Sequence, residues 1–340
     1  MNWKVGSLIV ATLLPLAAQG QVEGAPPANR TAALSDYQRP AATPFPDSDP
    51  YSAAKDALGR RLFFDPIFSN SRTISCATCH NPALSWGDGR PRAHGEGASD
   101  LAFRSPTLLD VAWMPRLGWD GKFRDLESVA FAPITASGNM NLKEETLIAR
   151  LNAEPSFVAA FADAFSDGAI SRRNIEQALA TYERGIVSPE APFDRWARGD
   201  ESAIDEAAKR GFDLFNKKAR CSGCHSGWTF SDGSFHDIGV AEGKDIGRGR
   251  LFPTSVKLQY AFKTPTLRDA AQRAPYMHNG SVPTLEAVID LYNRGGIARP
   301  SRSELIRPLG LTEEEKSDLI AFLQTLSGDQ SRSGQPAPRR

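Results

Sequence analysis

The chain has 340 residues, enough for two domains with full-sized cores, and sets 40 Lys and Arg against 40 Asp and Glu. A net charge of zero gives no sign of a nucleic-acid footprint or of attraction to a charged membrane surface. Aromatics are ordinary at 9 %, and no long low-complexity tract is present.

Residues 1–20 read as an export signal. Lys4 supplies a positive charge, Val5 to Ala18 is a short apolar run, and Ala18-Gln19-Gly20 offers small residues for cleavage before Gln21. The run is short for a membrane span, so an uncleaved anchor is the minor alternative and no stable membrane insertion is expected after cleavage. Residues 21–50, rich in Ala and Pro, read as a flexible lead-in. An N-terminal domain is then expected over 51–190 and a C-terminal one over 191–327. The boundary falls near Ser188-Pro189-Glu190-Ala191-Pro192, and 328–340 read as a disordered tail.

Ala53 to Phe64 has helical character, with Ala57, Leu58, Leu62 and Phe63 available for one face. Leu58-Gly59-Arg60-Arg61-Leu62-Phe63 is echoed by Arg210-Gly211-Phe212-Asp213-Leu214-Phe215 later in the chain. Two further helices are predicted as closures. Ser171 to Val187 carries a cap at Ser171 and a stripe of Ile175, Ala178, Leu179, Tyr182 and Ile186. Thr312 to Leu326 carries a Thr312/Glu315 capping box, a stripe of Leu319, Phe322, Leu323 and Leu326, and Gly328 as its stop.

Each echoed segment precedes a C-x-x-C-H motif: Cys76-Ala77-Thr78-Cys79-His80 and Cys221-Ser222-Gly223-Cys224-His225. Two thiols at this spacing can add to the vinyl groups of a haem, and the following imidazole is placed to ligate its iron. A redox disulfide or a zinc half-site is the rival reading of a single C-x-x-C. The two motifs consume all four Cys, and neither has the paired His of a finger. Two c-type haems are therefore expected, with fold class mainly α and two cytochrome c-like helical domains, each holding one covalently attached haem. Covalent haem attachment outside the cytoplasm agrees with the export signal.

Beyond these motifs the chain resembles the bacterial di-haem cytochrome c peroxidase family, including its MauG-type branch. The resemblance runs from about Tyr51 to Leu326. It rests on Leu62-Phe63-Phe64-Asp65-Pro66, Arg104-Ser105-Pro106-Thr107, Gly118-Trp119-Asp120-Gly121, Phe262-Lys263-Thr264-Pro265-Thr266-Leu267-Arg268 and Pro275-Tyr276-Met277-His278-Asn279-Gly280. It implies that the N-terminal haem meets peroxide and that the C-terminal haem receives electrons from a small periplasmic protein, a cytochrome c or cupredoxin, or from an oxidisable substrate. It also implies that Trp119 relays electrons between the haems.

Three positions bear on the branch. Peroxidases of this family place Met where the helix Thr284-Leu285-Glu286 reaches Tyr292 here, and Tyr at this place is similar to the MauG-type branch. A phenolate donor would lower the potential of that haem. Met114, Met140 and Met277 are the thioethers left as alternatives in the mature chain. The family pattern of Pro followed six residues later by a carboxylate reads Pro133 and Asn139, and an amide cannot move the peroxide proton near neutral pH. His94 or Glu96 is a possible substitute, and His94 is also a possible movable sixth ligand of the first haem. Arg104 stands where the family's calcium-binding Asn would sit, beside the carbonyls of Lys263 and Pro265. Guanidinium cannot ligate a cation, so calcium is doubtful and the Arg104 charge is expected to replace it. His236 and His278 are expected to hydrogen-bond propionates or backbone.

The leading expectation is a periplasmic enzyme in which electrons pass through the C-terminal haem and Trp119 to an N-terminal haem that reduces hydrogen peroxide. The alternatives are MauG-type peroxide-dependent oxidation of a protein or organic substrate, and a non-catalytic electron carrier or sensor, which Asn139 favours.

Overall fold

The computed structural model describes Met1 and residues 34–329; the export signal and most of the tail lie outside the described residues. The described chain is mainly helical. Its one two-stranded ladder pairs β1 (Phe235–His236) with β2 (Phe262–Lys263), antiparallel, with Phe235 opposite Lys263.

Two apolar cores form. One gathers buried residues from Leu58 to Ile186, and the other gathers Phe193 to Leu326 together with Leu34 and Tyr37. The echoed segments explain how each core is built. Helix α1 (Ala53–Phe64) crosses α2 (Arg172–Arg184), and α3 (Glu206–Asn216) crosses α5 (Glu313–Gln324), with α4 (Leu285–Arg294) beside the latter. A Cβ on Gly59 would lie 1.9 Å from the Ala178 carbonyl oxygen, and one on Gly211 2.0 Å from that of Asp318. Glycine is needed at each crossing because the two backbones touch there.

The predicted caps form. Ser171 accepts from the Asn174 amide, and Thr312 and Glu315 make the reciprocal box. Both stripes are buried throughout. Two local expectations change. Ala57 is exposed, and Gly59 takes the packed position instead. Helix α5 ends at Gln324 with Thr325 as its cap, so Gly328 lies beyond the stop, where its amide donates to Asp269.

The lead-in is also ordered from residue 34. Tyr37 stacks on Phe230 at 4.8 Å and its hydroxyl donates to Asn216, while buried Asp49 pairs with Lys55 at 2.5 Å. Aromatic contacts of Tyr37 with Phe193, Phe212 and Phe230 and a buried ion pair anchor a segment whose Ala and Pro content alone implied flexibility.

Buried charge fixes the segment that connects the two cores. Arg268, fully buried, donates through Nε to the Trp228 carbonyl and lies 2.8 Å from Asp194. Asp194 also accepts from the Ala191 amide and from Arg39. Nearby, Asp110 accepts from the Ser188 amide, and burial pushes its carboxyl up. The segment between the cores is thus fixed by charges drawn from both sides.

Candidate functional site

Each C-x-x-C-H motif folds as one short turn. The first forms a helical turn over Cys76–Cys79, and the second a 3-10 turn over Cys221–Gly223, which brings both thiols of a motif to one side. All four thiols are free. The following histidines share one arrangement: Nδ1 of His80 lies 3.3 Å from the Trp86 carbonyl, and Nδ1 of His225 lies 2.8 Å from the Phe230 carbonyl. A carbonyl accepts only from N–H, so Nδ1 carries the proton and Nε2 is left to bind metal. Burial lowers both imidazoles below the usual range, which keeps them neutral.

The second motif opens on a large cavity. Cys221, Cys224, His225, Tyr292, Met277 and Trp119 line it, with apolar walls from Phe215, Leu285, Ile289 and Leu323. Helix α4 carries Tyr292 to the cavity. Burial, and then the neighbouring Cys221 and Cys224, push the Tyr292 hydroxyl well above the usual phenol range. A ferric iron would reverse that balance by adding positive charge. Of the three methionines, Met277 lines this cavity, whereas Met140 is buried in the first core and Met114 packs against it. Free paired thiols and neutral imidazoles presenting Nε2 fit a covalently held haem at each motif, and at the second an apolar cavity adjoins them.

Trp119 is fixed at the seam between the two cores. Its indole N–H donates to the Arg104 carbonyl at 2.9 Å, and its own carbonyl accepts from the Lys263 amide at 2.8 Å. Arg104 is buried and donates to the Arg273 carbonyl, as a guanidinium must.

The Asn139 loop sits close to the first motif. The Cys79 thiol lies 3.9 Å from the His94 carbonyl, and the Glu96 amide donates to the Asn139 carbonyl. Pro133 accepts from the Met140 amide, which closes the loop. Neither suggested substitute is disengaged. The His94 ring contacts Arg90 at Nδ1 and Asp100 at Nε2, and the Glu96 carboxylate accepts from the Ser71 amide at 2.8 Å.

His236 and His278 differ from expectation. Each meets a carboxylate in this structure: His236 reaches Asp232 at 2.8 Å, and His278 reaches Asp245 at 2.6 Å while stacking on Phe262. The Asp232 bond pushes His236 up to about 10. Cys224, Asp232 and His236 stand within metal-binding distance of one another, but Cys224 belongs to the second haem motif.

The stripe reading passed over Glu183. It is buried beside Tyr182, close enough to Cys76 to raise that thiol, and burial pushes its own carboxyl up to about 8. No local pattern marks it, because the elements packed against α2 come from elsewhere in the chain.

The chain is similar to known proteins. The family described as di-haem cytochrome c peroxidase matches residues 53–202, and a RoxA-like, cytochrome c-like family matches residues 262–297. The methylamine utilization protein MauG of Methylorubrum extorquens is 50 % identical over 295 residues, covering 86 % of this chain and 84 % of that protein. Cytochrome c551 peroxidase of Pseudomonas aeruginosa is 30 % identical and covers 98 % of this chain and 94 % of its own. Among solved structures, a MauG-like protein associated with microbial copper homeostasis superimposes with a TM-score of 0.82 at 29 % identity, covering 89 % of this chain and 98 % of that one.

Proposed function

Because the chain belongs to the di-haem cytochrome c peroxidase family, we propose that it is an exported oxidoreductase using hydrogen peroxide to oxidise a protein or organic substrate. The observation that carries this reading is Tyr292 sharing one cavity with Cys221, Cys224 and His225. The relatives named MauG, at 50 % and 46 % identity, stand nearer than those named peroxidases, at 36 % and below, and this supports it.

Haem held at the two motifs supplies iron that reacts with peroxide and exchanges single electrons. The chain's own groups set the terms. His80 and His225, fixed by the Trp86 and Phe230 carbonyls, each offer one neutral nitrogen to an iron. Tyr292 would be the second protein ligand of a haem iron held at the C-terminal site, and its phenolate would favour the ferric state. Asn139, in the loop beside the first motif, would orient peroxide by hydrogen bonds without exchanging a proton. Trp119 is an oxidisable ring between the two sites, held in place by Arg104 and Lys263. Among the described residues no helix is long and apolar enough to cross a membrane, and a periplasmic location agrees with the signal-like residues 1–20.

Stopped-flow absorbance tests the activity. Ferric and half-reduced protein are mixed with hydrogen peroxide, and a rapid change in the haem spectrum is expected. Its decay should quicken with an oxidisable substrate. No reaction in either redox state would leave an electron carrier or sensor. Fast turnover sustained by a reduced small cytochrome or copper protein alone would return the assignment to peroxide reduction.

The ligand assignment has its own test. Tyr292→Phe should change the spectrum of the second haem and raise its midpoint potential, because a strong anionic donor is lost. An unchanged spectrum would remove Tyr292 as ligand and direct attention to Met277 in the same cavity.

A further inference from the structure

The cavity of the second motif has an uneven charge lining. Arg104, Arg220, Lys263, Arg273 and Arg307 line it, and no Asp or Glu does. Arg220 and Arg307 are exposed, so water screens them. Arg273 is spent on the carbonyls of Thr266, Arg268 and Asp269. Arg104 and Lys263 remain. Arg104 is buried, and its Nε has no hydrogen-bond partner among the described residues. The Lys263 ammonium has three donors and one recorded bond, to the Arg116 carbonyl at 3.2 Å. Burial lowers Lys263 to about 8. Asp88, the carboxylate acting on Arg104, has an oxygen engaged by Ser105. Both cations are also tied to Trp119, one through the indole and one through the backbone.

We propose that Arg104 and Lys263 form a two-cation receptor for the propionate carboxylates of the haem held by Cys221, Cys224 and His225. This rests on the haem occupying that cavity as read above. A buried, under-bonded cation is costly unless an anion meets it, and charge-assisted bonds to carboxylates are the strongest available partners. A haem brings two carboxylates into a cavity that otherwise supplies none. The receptor draws one cation from each core, so seating the haem also ties the seam around Trp119. It acts on the iron as well. Two positive charges beside the propionates favour the reduced state, opposing the phenolate of Tyr292. Arg104 and Lys263 are therefore positioning residues that set where the second haem sits in potential.

Lys263→Met, Lys263→Arg and Arg104→Gln holoproteins test this. The haem count of the wild-type protein is measured first by alkaline pyridine spectra. Fewer than two haems there would defeat the cofactor reading itself, independently of any variant. Redox titration followed by absorbance should show Lys263→Met and Arg104→Gln shifting the reduction equilibrium of the second haem about tenfold towards ferric, 59 mV for one electron. Lys263→Arg should stay near wild type. The propionate bending band in resonance Raman spectra should move in the two neutral variants only. Should Lys263→Met fail to retain the second haem, retention in Lys263→Arg would support the receptor, and equal loss from both would overturn it. Wild-type potential and band position in both neutral variants, with two haems bound, would also overturn it.

Discussion

Asn139→Glu should speed the reaction with peroxide by about 10²–10⁴-fold, the usual contribution of a positioned general acid–base group. The backbone at this place is already built for it. Asn139 donates its amide to the Ala136 carbonyl and accepts from Glu96, and the flanking Met140 amide donates to Pro133. Exchanging the side chain therefore leaves the loop in place and adds one methylene at a half-exposed site. What changes is chemistry. An amide offers donors and an acceptor of fixed character, whereas a carboxylate takes a proton from one peroxide oxygen and returns it to the other. On the proposed reading, the native Asn139 would leave peroxide binding intact and slow O–O cleavage, in keeping with an enzyme whose oxidising power is directed at a chosen substrate. Single-turnover mixing of the ferric variant with peroxide measures the step directly. An unchanged rate would mean that the proton travels elsewhere. The carboxylate of Glu96 would then be the first candidate, since only its bond to the Ser71 amide holds it away.

The sequence made the chemistry-bearing residues legible because their spacing is short. Two C-x-x-C-H motifs name six residues at once, and the structure folds each motif as one short turn. The glycines of the echoed helices were legible as a repeat, but not as the contact points where helices cross. That contact is made with Ala178 and Asp318, more than 100 residues away in each case. The same distance in sequence hid the seam. Nothing local to Lys263 shows that its ammonium will meet the Arg116 carbonyl, or that Trp119 will bond to both Arg104 and Lys263. The ordered segment 34–50 was missed for a related reason. Its composition reads as flexible, and its order comes from Phe193, Phe212 and Phe230 far along the chain. His236 and His278 were placed correctly near the second site, but their partners Asp232 and Asp245 lie on loops that the family-like segments do not include.

Arg268→Met should destabilise the folded protein by about 3–5 kcal/mol, the range for breaking a buried ion pair from one side. Arg268 is fully buried, and its guanidinium lies 2.8 Å from Asp194 while facing Phe193, Trp228 and Phe230 within 6 Å. Two effects compete. Methionine fills the apolar volume well and removes a cation that is costly to bury, which favours the variant. Asp194 is then left 2 % exposed, with the Ala191 amide and Arg39 as its remaining partners. The Trp228 carbonyl also loses its donor three residues after His225, and Asp110 loses a neighbouring charge. The uncompensated carboxylates outweigh the gain, because an orphaned buried charge costs more than a well-made pair contributes. Urea unfolding of the two-haem protein, followed by Trp fluorescence and haem absorbance, measures the loss. The double variant Arg268→Met with Asp194→Leu should recover part of it, since removing both charges is the milder change. A single variant within 1 kcal/mol of wild type would show that the ion pair does not anchor Asp194 within the second core. The Ala191 amide and Arg39 would then suffice to hold that carboxylate.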